Sequence, residues 1–180
     1  MAENVRPMPH LQNRCVILNA RPVGVPGPEF FDLVDRPAPE PRDGEFLVRL
    51  SFVSVDPAMR GWVNAAANYS TPVPVGDVMR AVGVGEVVES HHPDYAAGDM
   101  VTGTFGWQRY AVSDGTDVLR KLTGDDPSPS MALGVLGLNG LTAYFGLLET
   151  SPPKEGETLA VSTAAGAVGS CVGQIGKIVG

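Results

Sequence analysis

The sequence contains few of the residues that build metal centres and disulfides. Its 180 residues include two cysteines and three histidines, and no Cys-x-x-Cys pair occurs. Zinc is held by tetrahedral sets of cysteine and histidine ligands. These side chains do not form such a set at any usual spacing, so we expect no metal. Cys15 and Cys171 are instead expected to be small core residues.

The sequence also lacks a long apolar run and a basic cluster. No stretch approaches the roughly 18 continuous apolar residues of a membrane-spanning helix, and the start has no signal-peptide core. The 13 basic and 20 acidic residues give a net charge of −7, which argues against nucleic acid or an anionic membrane as a partner. We therefore expect a cytoplasmic protein in a reducing compartment.

Motifs for nucleophilic catalysis are absent as well. There is no Gly-x-Ser-x-Gly turn that would present a reactive serine. Asp56 can be read as a general base or as the start of a turn at Asp-Pro, and we favour the turn. Three aromatic residues either line a substrate pocket or simply pack in the core: Tyr69, Phe105 and Trp107.

What the sequence does contain is a series of short apolar runs between turn residues. With 22 glycines and 16 prolines, this texture is typical of a turn-rich β domain. The clearest run places Phe46, Val48, Leu50 and Phe52 on one face of a strand. Helical spacing takes over near residue 128. We predict strands at 14–18, 30–35, 45–55, 100–104, 107–112 and 118–122, a strand pair or one long bent strand at 78–89, and helices at 130–136 and 139–149.

The last part of the chain has the pattern of a dinucleotide-binding turn. Residues 158–162 are predicted to form a buried strand, followed by small residues and a helix over 170–179. The turn reads Ala164-x-Gly166-x-x-Gly169, with alanine in place of the first glycine. In this motif the middle glycine lets the backbone approach a pyrophosphate, and the third lets helix and strand pack closely. An ordinary tight turn between strand and helix is the alternative.

Five motifs taken together resemble the zinc-independent medium-chain dehydrogenase/reductases, in particular the prostaglandin reductase, plant double-bond reductase and curcumin reductase group. The similarity extends over nearly the whole chain from about residue 13 and corresponds to the front half of such an enzyme. It is carried by SVDPAMRG at 54–61, VGEVVES at 84–90, GD at 98–99 with GWQ at 106–108, GLTAYFGLLE at 140–149 and AAGAVGS at 164–170.

This resemblance implies a mainly β GroES-like domain over 1–127, followed by the start of an α/β Rossmann domain that binds NADP over 128–180, so that the chain is α+β overall. Gly166, Ala167, Val168 and Gly169 match the pyrophosphate turn of the family. Thr142 matches a position near the nicotinamide. Pro57 and Ala58 match a loop that meets the cofactor from the β domain.

The activity that the resemblance implies is hydride transfer from NADPH to the activated double bond of an enone or alkenal. No residue of this chain matches a catalytic group of the family, whose tyrosine donor is expected beyond Gly180. The complete enzyme is expected to be a homodimer, and this portion alone to be inactive. The group often has tyrosine at the position of Ala58, so the substrate range is left open.

Two other functions are compatible with the sequence. Within the same enzyme class, the protein can be a quinone reductase. Outside it, the chain can be a non-catalytic β-domain fragment that binds no nucleotide and acts by contact with a partner. Continuation of the reading frame past Gly180 with alternating strands and helices would favour the enzyme.

Overall fold

A computed structural model describes residues 11–66 and 70–180, which fall into two units. The first unit ends at Thr123 and the second runs from Gly124 to Gly180. The described residues of the first unit form seven strands, one short α-helix and a 3₁₀ helix at Pro28–Phe30. In chain order the strands and the α-helix are β1 (Gln12–Leu18), β2 (Phe31–Pro37), β3 (Phe46–Val53), α1 (Met59–Trp62), β4 (Gly83–Ser90), β5 (Met100–Gly103), β6 (Tyr110–Ser113) and β7 (Val118–Lys121).

The strands of the first unit form two antiparallel sheets. One has five strands in the order β6-β3-β4-β5-β7, and the other pairs β1 with β2. The alternation predicted for the central strand β3 is seen only around Val48 and Arg49, where Arg49 is exposed, since Leu47 on the opposite face is buried like Phe46 and Val48. Phe52, at the far end of β3, is half exposed although it still pairs with Val84.

The core of the first unit consists of two apolar clusters. One lies within the five-stranded sheet and contains Phe46, Val48, Val87, Val101, Phe105 and Ala111. The other lies beside β1 and α1 and contains Leu18, Met59, Val63, Val73, Met79 and Ala81. Burial of these side chains supplies the main favourable free energy of this unit.

Two predicted strands of the first unit begin several residues later in the structure, since the strand predicted at 107–112 is β6 (Tyr110–Ser113) and the one predicted at 78–89 is β4. The strand predicted at 78–89 begins only at Gly83, since residues 77–79 pair with β1 through Leu18 N to Asp77 O at 3.0 Å and Met79 N to Val16 O at 2.8 Å. Gly85 then passes so close to β3 that a Cβ there would overlap the carbonyl oxygen of Arg49. The glycine therefore marks the close approach that its place in a strand predicts.

A buried asparagine joins β1 to β6. Asn13 is only 2% exposed, and its Oδ1 accepts hydrogen bonds from the backbone N–H groups of Arg109 at 3.0 Å and Tyr110 at 2.9 Å. Its Nδ2 donates to the carbonyl oxygen of Tyr110 at 2.9 Å and to Oε1 of Gln108 at 3.1 Å. All four hydrogen-bonding positions of the amide are used, which fixes one sheet against the other.

The second unit begins with helical turns. A 3₁₀ helix at Pro129–Leu133 replaces the helix predicted at 130–136, and the helix predicted at 139–149 is α2 (Leu138–Tyr144) followed by a π-helical segment, Phe145–Thr150. The last element is α3 (Ala167–Val179), which starts three residues earlier than predicted. None of the helices in the described ranges is long and apolar enough to cross a membrane.

The prediction of a buried strand at 158–162 is wrong. Residues 158–162 pair with no other strand in the described part of the chain, and Leu159 is 41% exposed. A strand is stabilised by hydrogen bonds to a neighbouring strand, and the described residues of this unit contain no other strand. The segment does lie against α3, since a Cβ at Gly176 would stand 2.7 Å from Cδ2 of Leu159.

Two aspartates at one end of the five-stranded sheet are expected to affect stability in opposite directions. Burial raises the pKa of the Asp117 carboxyl, whereas hydrogen bonds from the backbone N–H of Ala96 and from Lys121 lower the pKa of Asp99. Ionised Asp117 therefore opposes folding at neutral pH, and this opposition fades as the pH falls toward the unfolded pKa. Ionised Asp99 favours folding above its unfolded pKa, and this contribution is lost as the pH falls through its lowered folded pKa.

We expect Asp117→Asn to raise the free energy of unfolding at pH 7, and Asp99→Asn to lower it. The Asp117→Asn difference should shrink as the pH is lowered toward about 4, whereas the Asp99→Asn difference should shrink only below about pH 4. Urea denaturation at several pH values measures this. Effects of the same sign for the two variants would contradict the assignment.

Candidate functional site

The first turn of α3 presents unpaired backbone donors. Gly166 is the N-cap residue and has no side-chain cap, and the first bond of the helix runs from Ser170 N to Gly166 O at 2.9 Å. Among the described residues, the N–H groups of Ala167, Val168 and Gly169 have no hydrogen-bond acceptor. Free N–H groups and the helix dipole together favour a bound anion at this end of a helix.

The tight turn before α3 depends on Thr163. This residue has a φ of 54° and is the one non-glycine residue with a positive φ in the described part of the chain. Its carbonyl oxygen accepts a hydrogen bond from the N–H of Gly166 at 2.8 Å. The sequence pattern had placed the role of the first glycine at Ala164. In the structure the left-handed conformation lies one residue earlier, at Thr163.

The two glycines of the turn have different surroundings. A Cβ at Gly169 would overlap the carbonyl oxygen of Thr163 and lie 3.0 Å from Cα of Ala164. Both are backbone atoms, so a side chain at Gly169 requires the turn and the helix to move apart. A Cβ at Gly166 would stand 3.2 Å from the same oxygen and 3.3 Å from Cγ2 of Thr163, a tight contact that a small movement relieves. Gly169 is thus the position where close packing strictly requires glycine.

Thr142 and the Pro57–Ala58 pair are each described within their own unit. Thr142 is exposed on α2, and its Oγ1 donates to the carbonyl oxygen of Leu138 at 2.7 Å. Pro57 and Ala58 form the turn that leads into α1. Asp56 starts this turn by accepting the N–H of Met59 at 3.0 Å through its backbone carbonyl. The turn interpretation of Asp-Pro agrees with this geometry.

The three aromatic candidates lie in different environments. Trp107 is half-buried against the cluster beside β1, and its Nε1 donates to the carbonyl oxygen of Ser54 at 2.9 Å. Phe105 is 3% exposed and has the contacts of a core residue of the five-stranded sheet. Tyr69 lies outside the described residues. Trp107 is therefore the aromatic candidate with both a fixed ring and accessible surface.

Two buried polar atoms near the Pro57–Ala58 turn were not singled out by the sequence. Oγ of Ser54 and Nε1 of Trp62 have no hydrogen-bond partner in the described part of the protein. The Trp62 ring also lies 5.6 Å from the guanidinium carbon of Arg80, in a cation–π contact. Buried polar groups are nearly always paired, so each of these two atoms is a position where a polar atom of a bound group or water can be accommodated. The one sign of these atoms in the sequence is a serine, Ser54, near the end of a predicted strand.

His91 and His92 occupy the turn that follows β4, and His10 lies outside the described residues. His92 is half-buried rather than solvated, because its ring lies edge-on to Phe46 and Tyr95 and its Nδ1 accepts the N–H of Asp94 at 3.0 Å. Across residues 11–66 and 70–180, no three His, Cys, Asp or Glu side chains lie close enough to hold a metal ion. Cys15 and Cys171 are both buried and unpaired with each other, as predicted.

Comparison with known proteins assigns the family. The model described as the N-terminal domain of oxidoreductase matches residues 14–121. An NADPH-dependent curcumin reductase from Escherichia coli is 49% identical over 94% of this chain and 49% of its own length. Prostaglandin reductase 1 from Sus scrofa is 42% identical over 88% of this chain and 46% of its own. The chain spans about half the length of these relatives.

Solved structures agree with this similarity. The crystal structure of CurA from Vibrio vulnificus is 47% identical, with a TM-score of 0.85 over 93% of this chain and 49% of that one. A second structure, of the same protein in complex with NADPH, gives 0.84 over 92% of this chain and 49% of that one, again at 47% identity. The chain belongs to the zinc-independent medium-chain dehydrogenase/reductases. Within that family it is of the prostaglandin reductase and curcumin reductase type.

The comparisons confirm the predicted fold class. A mainly β GroES-like domain precedes the beginning of an α/β Rossmann domain. The comparisons also confirm the family that the five motifs predicted, the zinc-independent branch of the medium-chain dehydrogenase/reductases.

Proposed function

We propose that the complete protein containing this chain is an NADPH-dependent oxidoreductase that reduces the activated C=C bond of enones or alkenals. In this proposal residues 1–127 are the GroES-like domain and residues 128–180 begin the NADP-binding domain. Support comes from relatives named NADPH-dependent curcumin reductase and NADP(+)-dependent 2-alkenal reductase, the latter from Nicotiana tabacum at 38% identity. The complete enzyme is proposed to be a homodimer of the cytoplasm.

The observation that carries the proposal is the first turn of α3. Three N–H groups lack acceptors there, and Gly166 has no side chain to cover them. This is the donor set that a pyrophosphate needs, since its oxygens accept hydrogen bonds and its charge is favoured by the helix dipole. The residues present therefore fit a dinucleotide.

Each candidate site residue named below has a defined task in this proposal. Gly166, Ala167, Val168 and Gly169 hold the pyrophosphate, and Thr142 orients the nicotinamide. Pro57 and Ala58 contact the cofactor from the β domain. Trp107 and Tyr69 form part of the substrate pocket. Bound NADPH supplies the hydride, while the protein orients the reactants and excludes water.

The unpaired atoms of Ser54 and Trp62 support a binding function for the region around α1. Nε1 of Trp62 is a donor, and Oγ of Ser54 is both donor and acceptor. A bound oxygen atom at either position would relieve the cost of leaving that group buried without a partner. Such an atom can come from a cofactor, a substrate carbonyl or an ordered water.

The proposal is tested by NADPH oxidation with purified complete protein. We expect turnover with an enone or alkenal, and none with the 180-residue chain, because a single turn and helix without a sheet does not hold a dinucleotide across a strand-order switch point. A saturated ketone of the same carbon skeleton is the matched control and should be inert.

Two results would replace this function. Turnover with quinones and not with enones would make the protein a quinone reductase. No NADPH binding by the complete protein, measured by calorimetry, would favour the non-catalytic alternative. Turnover by the 180-residue chain that persists after repurification would contradict the inactivity of this portion.

A further inference from the structure

A polar groove lies on the outer face of β1 in the first unit. Its volume is about 370 Å³, and it is lined by Gln12, Arg14, Asp35 and Arg109. Gln12 and Arg14 are exposed, whereas Asn13 between them is buried, so their side chains lie on the strand face that points away from the core. The volume is within the range of small-molecule sites, roughly 300–1,000 Å³.

Two arginines of this groove lie directly across from each other on neighbouring strands. The backbone N–H of Arg109 donates to the carbonyl oxygen of Arg14 at 3.0 Å, and the adjacent residues Cys15 and Gln108 form an antiparallel bridge. Like charges at directly opposite positions of an antiparallel pair are destabilising. The arrangement is therefore unfavourable unless negative charge balances both arginines.

The single carboxylate of the groove is held by one arginine. Arg14 donates from Nε to Oδ1 of Asp35 at 2.8 Å and from Nη2 to Oδ2 at 2.9 Å. These bonds lower the pKa of the Asp35 carboxyl, and the nearby charge of Arg109 contributes a smaller part. Within residues 11–66 and 70–180, the Arg109 guanidinium and the Gln12 amide have no hydrogen-bond or ion-pair partner.

The groove is a positive site on an acidic chain. Two arginines and one aspartate give it a net charge of +1, whereas the whole chain carries −7. The excess charge belongs to Arg109, which is exposed and has all five of its N–H donors available. The groove thus combines a small-molecule volume with an uncompensated cation.

We propose that this groove binds the carboxylate of a small organic acid, with the Arg109 guanidinium as the main contact. The parallel N–H groups of a guanidinium match the two oxygens of a carboxylate, and the Gln12 amide offers a further donor in the same groove. One carboxylate neutralises the charge of +1. A phosphate dianion would leave a net negative charge beside Asp35, and a polyanion would be repelled by the acidic chain.

The experiment titrates the complete ¹⁵N-labelled protein with succinate, at an ionic strength kept constant with sodium chloride. Nuclear magnetic resonance follows the side-chain N–H signals of Gln12 and Arg14. Arg109→Met keeps the apolar stem and removes the charge and the donors, and Arg109→Lys keeps the charge without the planar fork. The matched control is Arg49→Met, because Arg49 is an exposed arginine that pairs with Glu86 at 2.6 Å and does not line the groove.

We expect the dissociation constant for succinate to rise at least about tenfold in Arg109→Met and to stay within about twofold in Arg49→Met. Arg109→Lys should fall between these two. Inorganic phosphate should bind more weakly than succinate, and uncharged succinamide should not shift the signals. Without ligand, Arg109→Met should melt at the parent temperature or above it, since it removes one of two opposed like charges.

Four results would overturn the inference. The first is the absence of saturable shifts when succinate is added to the parent protein. Equal weakening in Arg109→Met and Arg49→Met would assign the effect to general charge screening. Tighter binding of phosphate than of succinate would reject a carboxylate as the ligand. A lower melting temperature of Arg109→Met with unchanged succinate affinity would make Arg109 a structural residue. These readouts need no NADPH, so they are independent of the proposed function.

Discussion

Asn13→Asp is expected to lower the free energy of unfolding of the first unit by about 3 kcal/mol at pH 7. The substitution keeps the shape of the side chain but removes Nδ2, so the carbonyl oxygen of Tyr110 and Oε1 of Gln108 lose a donor and face a carboxylate. A buried acceptor without a partner costs about 1–3 kcal/mol. Burial beside two oxygens also raises the pKa of the new carboxyl, at about 1.4 kcal/mol per unit.

The measurement is urea denaturation followed by tryptophan fluorescence. Both tryptophans, Trp62 and Trp107, lie in the first unit and report on it alone. The control is Asn64→Asp, because Asn64 is exposed and its Oδ1 already accepts from Arg60, so a carboxylate there should change stability by less than about 0.5 kcal/mol. The deficit of Asn13→Asp should shrink as the pH falls and the carboxyl is protonated. A deficit independent of pH would contradict the mechanism.

The strands were predictable because their information is local. Short apolar and β-branched runs bounded by turn residues locate β3, β5 and β7 within a few positions, although their burial does not alternate regularly. The same local rule predicted the helix α3. Its start was placed three residues late because small residues at 167–169 look like a turn.

Contacts between distant residues could not be read from the sequence. Asn13 looks like an ordinary polar residue at the edge of a strand, yet its partners are 95–97 residues away. The strand predicted at 158–162 failed for a related reason. Its apolar and β-branched residues favour an extended chain, but a sheet also needs a neighbouring strand, and the described part of the second unit has none.

The candidate site was predicted in part. Glycine spacing and a following helix located the turn, because these features reflect steric needs at fixed offsets. The pattern could not locate the strained residue, since a threonine carries no signal for a positive φ. The packing of Phe105 and the unpaired atoms of Ser54 and Trp62 likewise depend on the folded surroundings.

The glycines of α3 and its first turn provide a graded test in which a single methyl group is added at three positions. Gly169→Ala places a Cβ against the carbonyl oxygen of Thr163 and should destabilise the helix by about 1–3 kcal/mol. Gly173→Ala meets nothing within 4 Å and should stabilise the same helix by about 0.5–1 kcal/mol. Gly166 has an ordinary extended conformation, φ −76° and ψ 169°, so alanine fits there with only a tight contact.

Amide hydrogen exchange of residues 170–179 measures stability, because tryptophan fluorescence does not report on this unit. We expect faster exchange in Gly169→Ala, slower exchange in Gly173→Ala and little change in Gly166→Ala. NADPH affinity of the complete protein should follow a different order. Gly166→Ala should weaken it at least about tenfold, since the methyl group stands where the pyrophosphate approaches the backbone, and Gly173→Ala should not change it. If Gly166→Ala binds NADPH as the parent does, the open N–H groups of α3 serve the fold and not the cofactor.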